Sequence, residues 1–243
     1  IVLVEPNAVP GLANRLLGRF ARLIFTGFDQ ASAYFSEAKT IKYGIPVRKD
    51  VVAAKRASFN EEGKLNVFIF GGSQGAMRLN ESMIEAIPLM KDVSGRIRIM
   101  HQTGNAKASV ELAEKYKAAG IDASTFVFTD KIWEYYAKAD LVIARSGAGT
   151  VAELAALSLP CVLVPYPFAA DDHQRANAKL LSDSGGAIFV DNVDFSGAKA
   201  AMIIRDLVNR PEKLIEMKAA IERLGFSNAA QRIAEKSLEI MRY

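Results

Sequence analysis

The chain has 243 residues, of which 50% are hydrophobic, 24% charged and 9% aromatic, enough apolar material for one large domain or a domain with part of another. Its net charge of +4 suits anionic ligands such as nucleotides, phosphates or acidic lipid surfaces, although a solvated excess of Lys and Arg accounts for it equally well. The single cysteine, Cys161, excludes an internal disulfide and suits a cytoplasmic setting, although one missing partner would fit too, and no apolar run approaches the ~18 residues of a membrane-spanning helix.

The chain opens on Ile1-Val2-Leu3-Val4, which reads as a buried core strand. A core strand at the first residue is expected of a piece whose upstream part is missing. A turn at 7–11 leads into a helix expected from Leu12 to Leu23, with Arg15, Arg19 and Arg22 on one side and Leu12, Leu16, Leu17, Phe20 and Leu23 filling the rest. Such a basic amphipathic helix fits a membrane surface; a core-packed helix with a solvated basic face is the preferred reading. Gly44-Ile45-Pro46 and the polar stretch up to Lys64 read as a linker. Beyond it, short apolar strands are predicted at 65–70, 96–100, 125–128, 141–144, 161–164 and 187–190. Helices are predicted at 107–119, 132–139, 150–157, 174–184, 197–208, 212–224 and 228–241. Strands alternating with helices predict an α/β fold with a buried parallel sheet.

In such sheets ligands sit where strands run out into helices, and four loops there are unusual. Gly71-Gly72-Ser73-Gln74-Gly75-Ala76 lets backbone approach a phosphate, with Ser73 adding a hydroxyl, but it lacks the Gly-Lys-Ser/Thr of a Walker loop. Ser146-Gly147-Ala148-Gly149-Thr150-Val151-Ala152-Glu153 again joins a strand to a helix. Its amides are placed for a diphosphate, and Glu153 is expected in the first helical turn, either for the helix dipole or to accept a ribose diol. This loop also fits Gly-x-Gly-x-x-Ala, the mark of a dinucleotide-binding dehydrogenase, but no acidic residue ends the next strand. Pro165 to Gln174 delivers Asp171, Asp172, His173 and Gln174 to a helix start. Asp172 is a candidate cap and His173 and Gln174 candidate sugar contacts. One loop supplying every ligand argues against a metal. His101, after the strand at 96–100, is either at the cleft edge or buried. Neither the charge nor any aromatic-and-basic or zinc-ligand pattern calls for nucleic acid.

These loops, in this order, resemble the MurG family, the bacterial UDP-N-acetylglucosamine:N-acetylmuramyl-pentapeptide pyrophosphoryl-undecaprenol N-acetylglucosaminyltransferases. The stretches that carry the resemblance are Glu5-Pro6-Asn7-Ala8-Val9-Pro10-Gly11, Pro46-Val47-Arg48, residues 71–76 with Asn80, His101-Gln102-Thr103-Gly104, 145–153 and 170–177. The family has His-Glu-Gln-Asn where this chain has Val4-Glu5-Pro6-Asn7, and often a glutamine where His173 stands.

The resemblance implies a GT-B arrangement of two Rossmann-like domains. Residues 1–48 would be the tail of the acceptor and membrane-side domain, 49–225 the UDP-sugar donor domain, and 226–243 a helix crossing back. It implies UDP-N-acetylglucosamine as donor, the lipid-linked N-acetylmuramyl-pentapeptide as acceptor, and a peripheral enzyme on the cytoplasmic face of the bacterial plasma membrane, with no cofactor and no metal. Asn7 would approach the donor sugar, Arg48 the uracil, and Ser73 a phosphate. Thr129 would present backbone to uracil. Ala148, Gly149, Thr150, Val151 and Ala152 would hold the diphosphate, Glu153 the ribose, and His173 and Gln174 the sugar. The general base would come from upstream of this chain, so the chain alone would bind donor without transferring it. Other readings are a UDP-N-acetylglucosamine 2-epimerase, a non-catalytic nucleotide-binding module and the dehydrogenase.

Overall fold

The computed structural model describes residues 1–54, 63–72, 76–225 and 228–241. Two all-parallel sheets organise them. The first contains β1 (Val2–Glu5), β2 (Leu23–Thr26) and β3 (Thr40–Lys42) in the order β1-β2-β3. Every residue of β2 is buried, as a central strand requires. The opening strand differs from expectation: β1 is an edge strand, and Ile1, Val2 and Val4 are exposed because only one neighbour covers it.

The first helix also differs. α1 spans only Leu12–Leu17, and Leu23 belongs to β2. Gly18 follows the helix, and the all-apolar run at 23–25 finds its burial in a sheet instead. No α1 residue is buried, and Leu12 and Phe20 remain 70% and 75% exposed, so the core-packed reading of this segment does not hold.

The second sheet holds β4 (Leu65–Phe70), β5 (Ile97–Gln102), β6 (Asp122–Phe126), β7 (Leu141–Ala144), β8 (Cys161–Leu163) and β9 (Ala187–Phe189). Their order is β6-β5-β4-β7-β8-β9. The helices are α2 (Asp29–Ser32) in the first unit, then α3 (Lys49–Val52), α4 (Met77–Ala86), α5 (Ala106–Ala118), α6 (Ile132–Lys138), α7 (Ala148–Ala156), α8 (His173–Asp183), α9 (Gly197–Asn209), α10 (Glu212–Glu222) and α11 (Ala229–Met241).

The period-two alternation of β4 explains the layering. Leu65, Val67 and Ile69 pack with Leu79 and Met83 of α4, Leu112 and Tyr116 of α5, and Ile203 and Leu207 of α9. Phe68 and Phe70 point the other way, into Tyr136 of α6, Val151 and Leu154 of α7 and Leu181 of α8. With both faces covered, β4 and β7 are apolar at nearly every position, which is why both were predicted with their observed ends. The last helix returns to the first unit: Arg22 Nη1 donates to the Ile240 carbonyl at 3.2 Å, and the Arg232 guanidinium lies 4.1 Å from the Tyr43 ring centre.

The strand order reverses between β4 and β7. The chain leaves β4 toward the α4 face and leaves β7 toward the α7 face, which opens a crevice at the carboxyl ends of these two strands.

Helices α4 and α9 meet at one close approach. A methyl group on Gly197 would come within 2.7 Å of the Glu85 carbonyl carbon. Gly197→Ala is therefore expected to separate the helices and cost about 1–3 kcal/mol, read as a lower urea midpoint with an unchanged slope. An unaltered midpoint would mean that α9 has room to shift.

Candidate functional site

The crevice is built around the start of α7. β7 ends at Ala144, and Ser146 is buried with its hydroxyl donating to the Gln174 carbonyl at 2.8 Å. α7 begins at Ala148, and the first amide to bond back is Val151, to the Gly147 carbonyl at 3.0 Å. The amides of Ala148, Gly149 and Thr150 are thus left without intrahelical partners at the positive end of a nine-residue helix. Gly147 has an ordinary φ of −59°. A methyl on Gly147 or Gly149 would meet no protein atom within 4 Å. Packing within the chain does not require these glycines, and their effect is to leave the helix end bare toward the crevice. Val151 and Ala152 instead face the core and bring no side chain to the crevice.

Glu153 lies in the second turn, not the first, because α7 starts two residues earlier than predicted. Its Oε1 accepts from Arg48 Nη2 at 3.1 Å and Nε at 3.3 Å, and its Oε2 from the Tyr136 hydroxyl at 3.0 Å. Arg48 also lies 5.6 Å from the centre of the Trp133 ring. Burial, and then the charge of Glu153, push the Tyr136 phenol well above its ordinary pKa, so it remains a donor. Beside this cluster is a cavity of about 300 Å³ lined by Arg48, Phe70, Gly72, Gln102, Thr129 and Ile132, among others. The structure thereby brings Arg48 and Thr129 together with Glu153 close by. Ser73 lies outside the described residues.

The opposite wall comes from the loop after β8 and from the end of β1. Arg145 Nη1 lies within hydrogen-bonding distance of the carbonyls of Val164 (3.1 Å) and Pro165 (2.9 Å) and of Asn192 Oδ1 (2.7 Å), and so fixes the base of the loop. Gln174 Oε1 accepts from the Tyr166 amide at 2.9 Å, and His173 Nδ1 donates to the Ala170 carbonyl at 2.6 Å. Asp171 and Asp172 both adopt left-handed φ, 50° and 51°. Asp172 makes no cap hydrogen bond. Its carboxylate takes Arg175 at 2.7 Å, and Asp171 takes Arg15 at 3.1 Å. Left-handed geometry aims the Asp172 side chain away from the helix amides that a cap would bond.

Asn7 reaches this wall through Asn177. The buried Asn177 carboxamide accepts from the Ala8 amide at 2.9 Å. It donates to Asn7 Oδ1 at 3.2 Å and to the Ser146 carbonyl at 3.3 Å. Sequence reasoning gave no role to Tyr136, Asn177 or Arg145. The last two lie inside stretches already singled out, whereas Tyr136 carried no local signal.

Residues 66–233 match the glycosyltransferase family 28 C-terminal domain. The chain belongs to glycosyltransferase family 28. It is 40% identical, over 98% of its length, to the UDP-N-acetylglucosamine–N-acetylmuramyl-(pentapeptide) pyrophosphoryl-undecaprenol N-acetylglucosamine transferase of Anaeromyxobacter dehalogenans, strain 2CP-C, and spans 62% of that relative. The crystal structure of Acinetobacter baumannii MurG superimposes with a TM-score of 0.79 at 30% identity, covering 96% of this chain and 66% of that one. The two-sheet α/β architecture is thus of the GT-B type. A UDP-GlcNAc 2-epimerase from Neisseria meningitidis, crystallised with UDP-GlcNAc, superimposes with a TM-score of 0.65 at 12% identity over 98% of this chain and 69% of that one, a likeness of fold alone.

His101, expected just after its strand, lies within β5 and is structural. His101 is buried, with Nε2 3.0 Å from Asn80 Oδ1 and Nδ1 3.1 Å from the Tyr116 hydroxyl. Asn80 Nδ2 donates to the Thr103 carbonyl, so Asn80 Oδ1 is the acceptor and His101 carries its proton on Nε2. Burial lowers the His101 pKa to about 3 from 6.5. Cys161 is likewise buried, and its thiol is pushed up by burial.

Because folded His101 resists protonation, the unfolded chain binds the proton first as pH falls below about 6.5. Stability from this residue is complete above that pH and is lost progressively down to about 3. Between pH 7.5 and 5.5 the unfolding free energy is expected to drop by roughly 1.4 kcal/mol from this source. Urea titrations of the unmodified chain and of His101→Asn at both values test this. An equal drop in the variant would assign the effect elsewhere.

Proposed function

We propose that this chain supplies the UDP-N-acetylglucosamine side of a transfer of N-acetylglucosamine onto the undecaprenyl-pyrophosphoryl N-acetylmuramyl-pentapeptide, a step of peptidoglycan synthesis. The observation that carries this is the single helix α7. It presents three amides with no partner among the described residues, beside two glycines with open space at their Cβ positions, and a carboxylate about one and a half turns further on. A diphosphate suits the first feature and a ribose diol the second. Three to five residues separate them along the helix, about 4.5–7.5 Å of rise. The chain spans about 62% of the curated relative, so the activity, acceptor and membrane setting rest on the names of its relatives together with this geometry.

In this reading Thr129 and Arg48 flank the base in the cavity beside Glu153. Gln174, His173 and Asn7 face the sugar, and Ser73 meets a phosphate. Residues 1–48 belong to the acceptor side, 49–225 form the donor unit, and 226–243 return to the acceptor side. A lipid-linked acceptor places the reaction at the cytoplasmic surface of the membrane, with the protein peripheral to it. Among the described residues no helix is long and apolar enough to cross a membrane.

The chemistry follows from where charge builds. The acceptor hydroxyl oxygen attacks the anomeric carbon as the bond from that carbon to the diphosphate oxygen breaks. The configuration inverts, the hydroxyl proton passes to a base, and the electron pair of the broken bond leaves on UDP. The amides at the start of α7 are already oriented toward the departing charge, so they stabilise it without reorganising, and one such donor is worth roughly 3 kcal/mol. Glu5 is not placed as the base: its carboxylate accepts from the Asn7 amide at 2.8 Å and the Asn14 amide nitrogen at 2.9 Å.

Calorimetric titration of the chain with UDP-N-acetylglucosamine, UDP-glucose and UDP is expected to give saturable binding that favours the first. Gly149→Ala separates ligand from packing. Ala improves helix propensity by up to about 1 kcal/mol and meets no protein atom, so thermal stability should hold or rise. UDP affinity should fall at least tenfold, about 1.4 kcal/mol. Folded chain that binds no uridine nucleotide, or a Gly149→Ala variant that binds UDP unchanged, would overturn the assignment.

A further inference from the structure

We propose that Tyr136 is the positioning residue of the Glu153 carboxylate, holding one oxygen permanently while Arg48 holds the other as an exchangeable place-holder for the nucleotide diol. This rests on the reading of Glu153 as the ribose-binding group.

The two partners of Glu153 differ in how firmly they are held. Tyr136 is fully buried. Its ring meets Phe68 and Phe70 of β4 edge-on, with centroids 5.9 Å away in both cases, and that packing fixes the direction of the hydroxyl. A buried phenol deprived of its acceptor would be left unsatisfied, so this bond resists exchange. Arg48 lies on the segment between the two sheets, and its side chain is 52% exposed against 15% for Glu153. Water can replace what Arg48 loses, and its guanidinium already lies 5.6 Å from the Trp133 ring centre, a contact that does not depend on Glu153.

Counting acceptor sites supports the same division. A carboxylate has about four lone-pair sites. Arg48 Nε and Nη2 both use Oε1, and Tyr136 uses one site on Oε2. A cis-diol brings two donors. One site on Oε2 is open already, so displacing either partner makes room for both donors, but displacing Tyr136 strands a buried hydroxyl and displacing Arg48 does not. Entry by exchange with Arg48 thus leaves every group bonded. Tyr136, 17 residues before Glu153 and on a different helix, then sets the plane in which the diol is read.

The test compares UDP with 2′-deoxy-UDP, because a purely structural tyrosine would not affect the ratio of their affinities. The unmodified chain is expected to prefer UDP by about tenfold. Tyr136→Phe keeps the ring packing and should bring the preference to within about twofold, while keeping one cooperative unfolding transition. Arg48→Gln, which removes the competitor, should raise the preference above that of the unmodified chain. An undiminished preference in folded Tyr136→Phe sinks the positioning role. Should Tyr136→Phe fail to fold, Arg48→Gln still decides: a lower preference there makes Arg48 a helper of the diol and overturns the exchange. Failure of the unmodified chain to bind UDP, or to distinguish it from 2′-deoxy-UDP, instead removes the ribose reading on which the inference rests.

Discussion

Neighbouring placement of β4 and β7 is the constraint from which the site follows. Both strands are central and buried on both faces, and they are parallel, with Val67 opposite Leu141 and Phe70 opposite Ala144. Every crossover out of a parallel strand needs a covering helix. Leaving β4 and β7 toward opposite faces splits their outgoing loops and exposes a helix start between them. The opening therefore needs no dedicated cavity in the core. It is a by-product of strand order, furnished with amides by α7 and left bare by two glycines.

The walls of that opening are held by polar groups that satisfy one another. Asn177 uses both ends of its carboxamide and ties the chain beyond β1 to the loop beyond β7, across 169 residues of sequence to Ala8. Arg145 pins the base of the loop that leads to His173 and Gln174 at the start of α8. Ion pairs from Arg15 and Arg175 hold the two left-handed aspartates of that loop. Two consecutive non-glycine residues in this conformation cost free energy, and they persist because surrounding contacts over-determine them. On the facing side Glu153 is spanned by Tyr136 and Arg48. Apart from the exposed Arg48, these walls are thus held by contacts within the chain.

Much of the fold was legible locally. Strands buried on both faces read as unbroken apolar runs, so β4 and β7 were found with their ends, and the alternation of strand and helix gave the parallel sheet. Gly147 and Gly149 beyond β7 pointed to a helix start, expected at 150 where α7 begins at Ala148. Expectations failed where local pattern cannot tell what covers a face. The leucines at 12, 16 and 17 have helical spacing, yet the helix stops at Leu17 and its apolar side stays exposed. Val2 and Val4 look like core residues but lie on an edge strand. Asp172 has the right residue type for a cap and the wrong backbone conformation.

What the sequence by itself determined is the set of polar groups carried to the strand ends: the glycines and amides at 147–150, the carboxylate of Glu153, the guanidinium of Arg48 and the amides of Asn7 and Gln174. These are properties of short windows, because strand-to-helix junctions are encoded by neighbouring residues. What only the tertiary structure decided is which of these groups meet. Tyr136 reaches Glu153 because α6 and α7 lie on the same face of one sheet, and Asn177 reaches Asn7 because the two sheets come together at their ends. Such pairings are fixed by strand order and helix packing, which sum over the whole chain, and no local stretch of residues carries them.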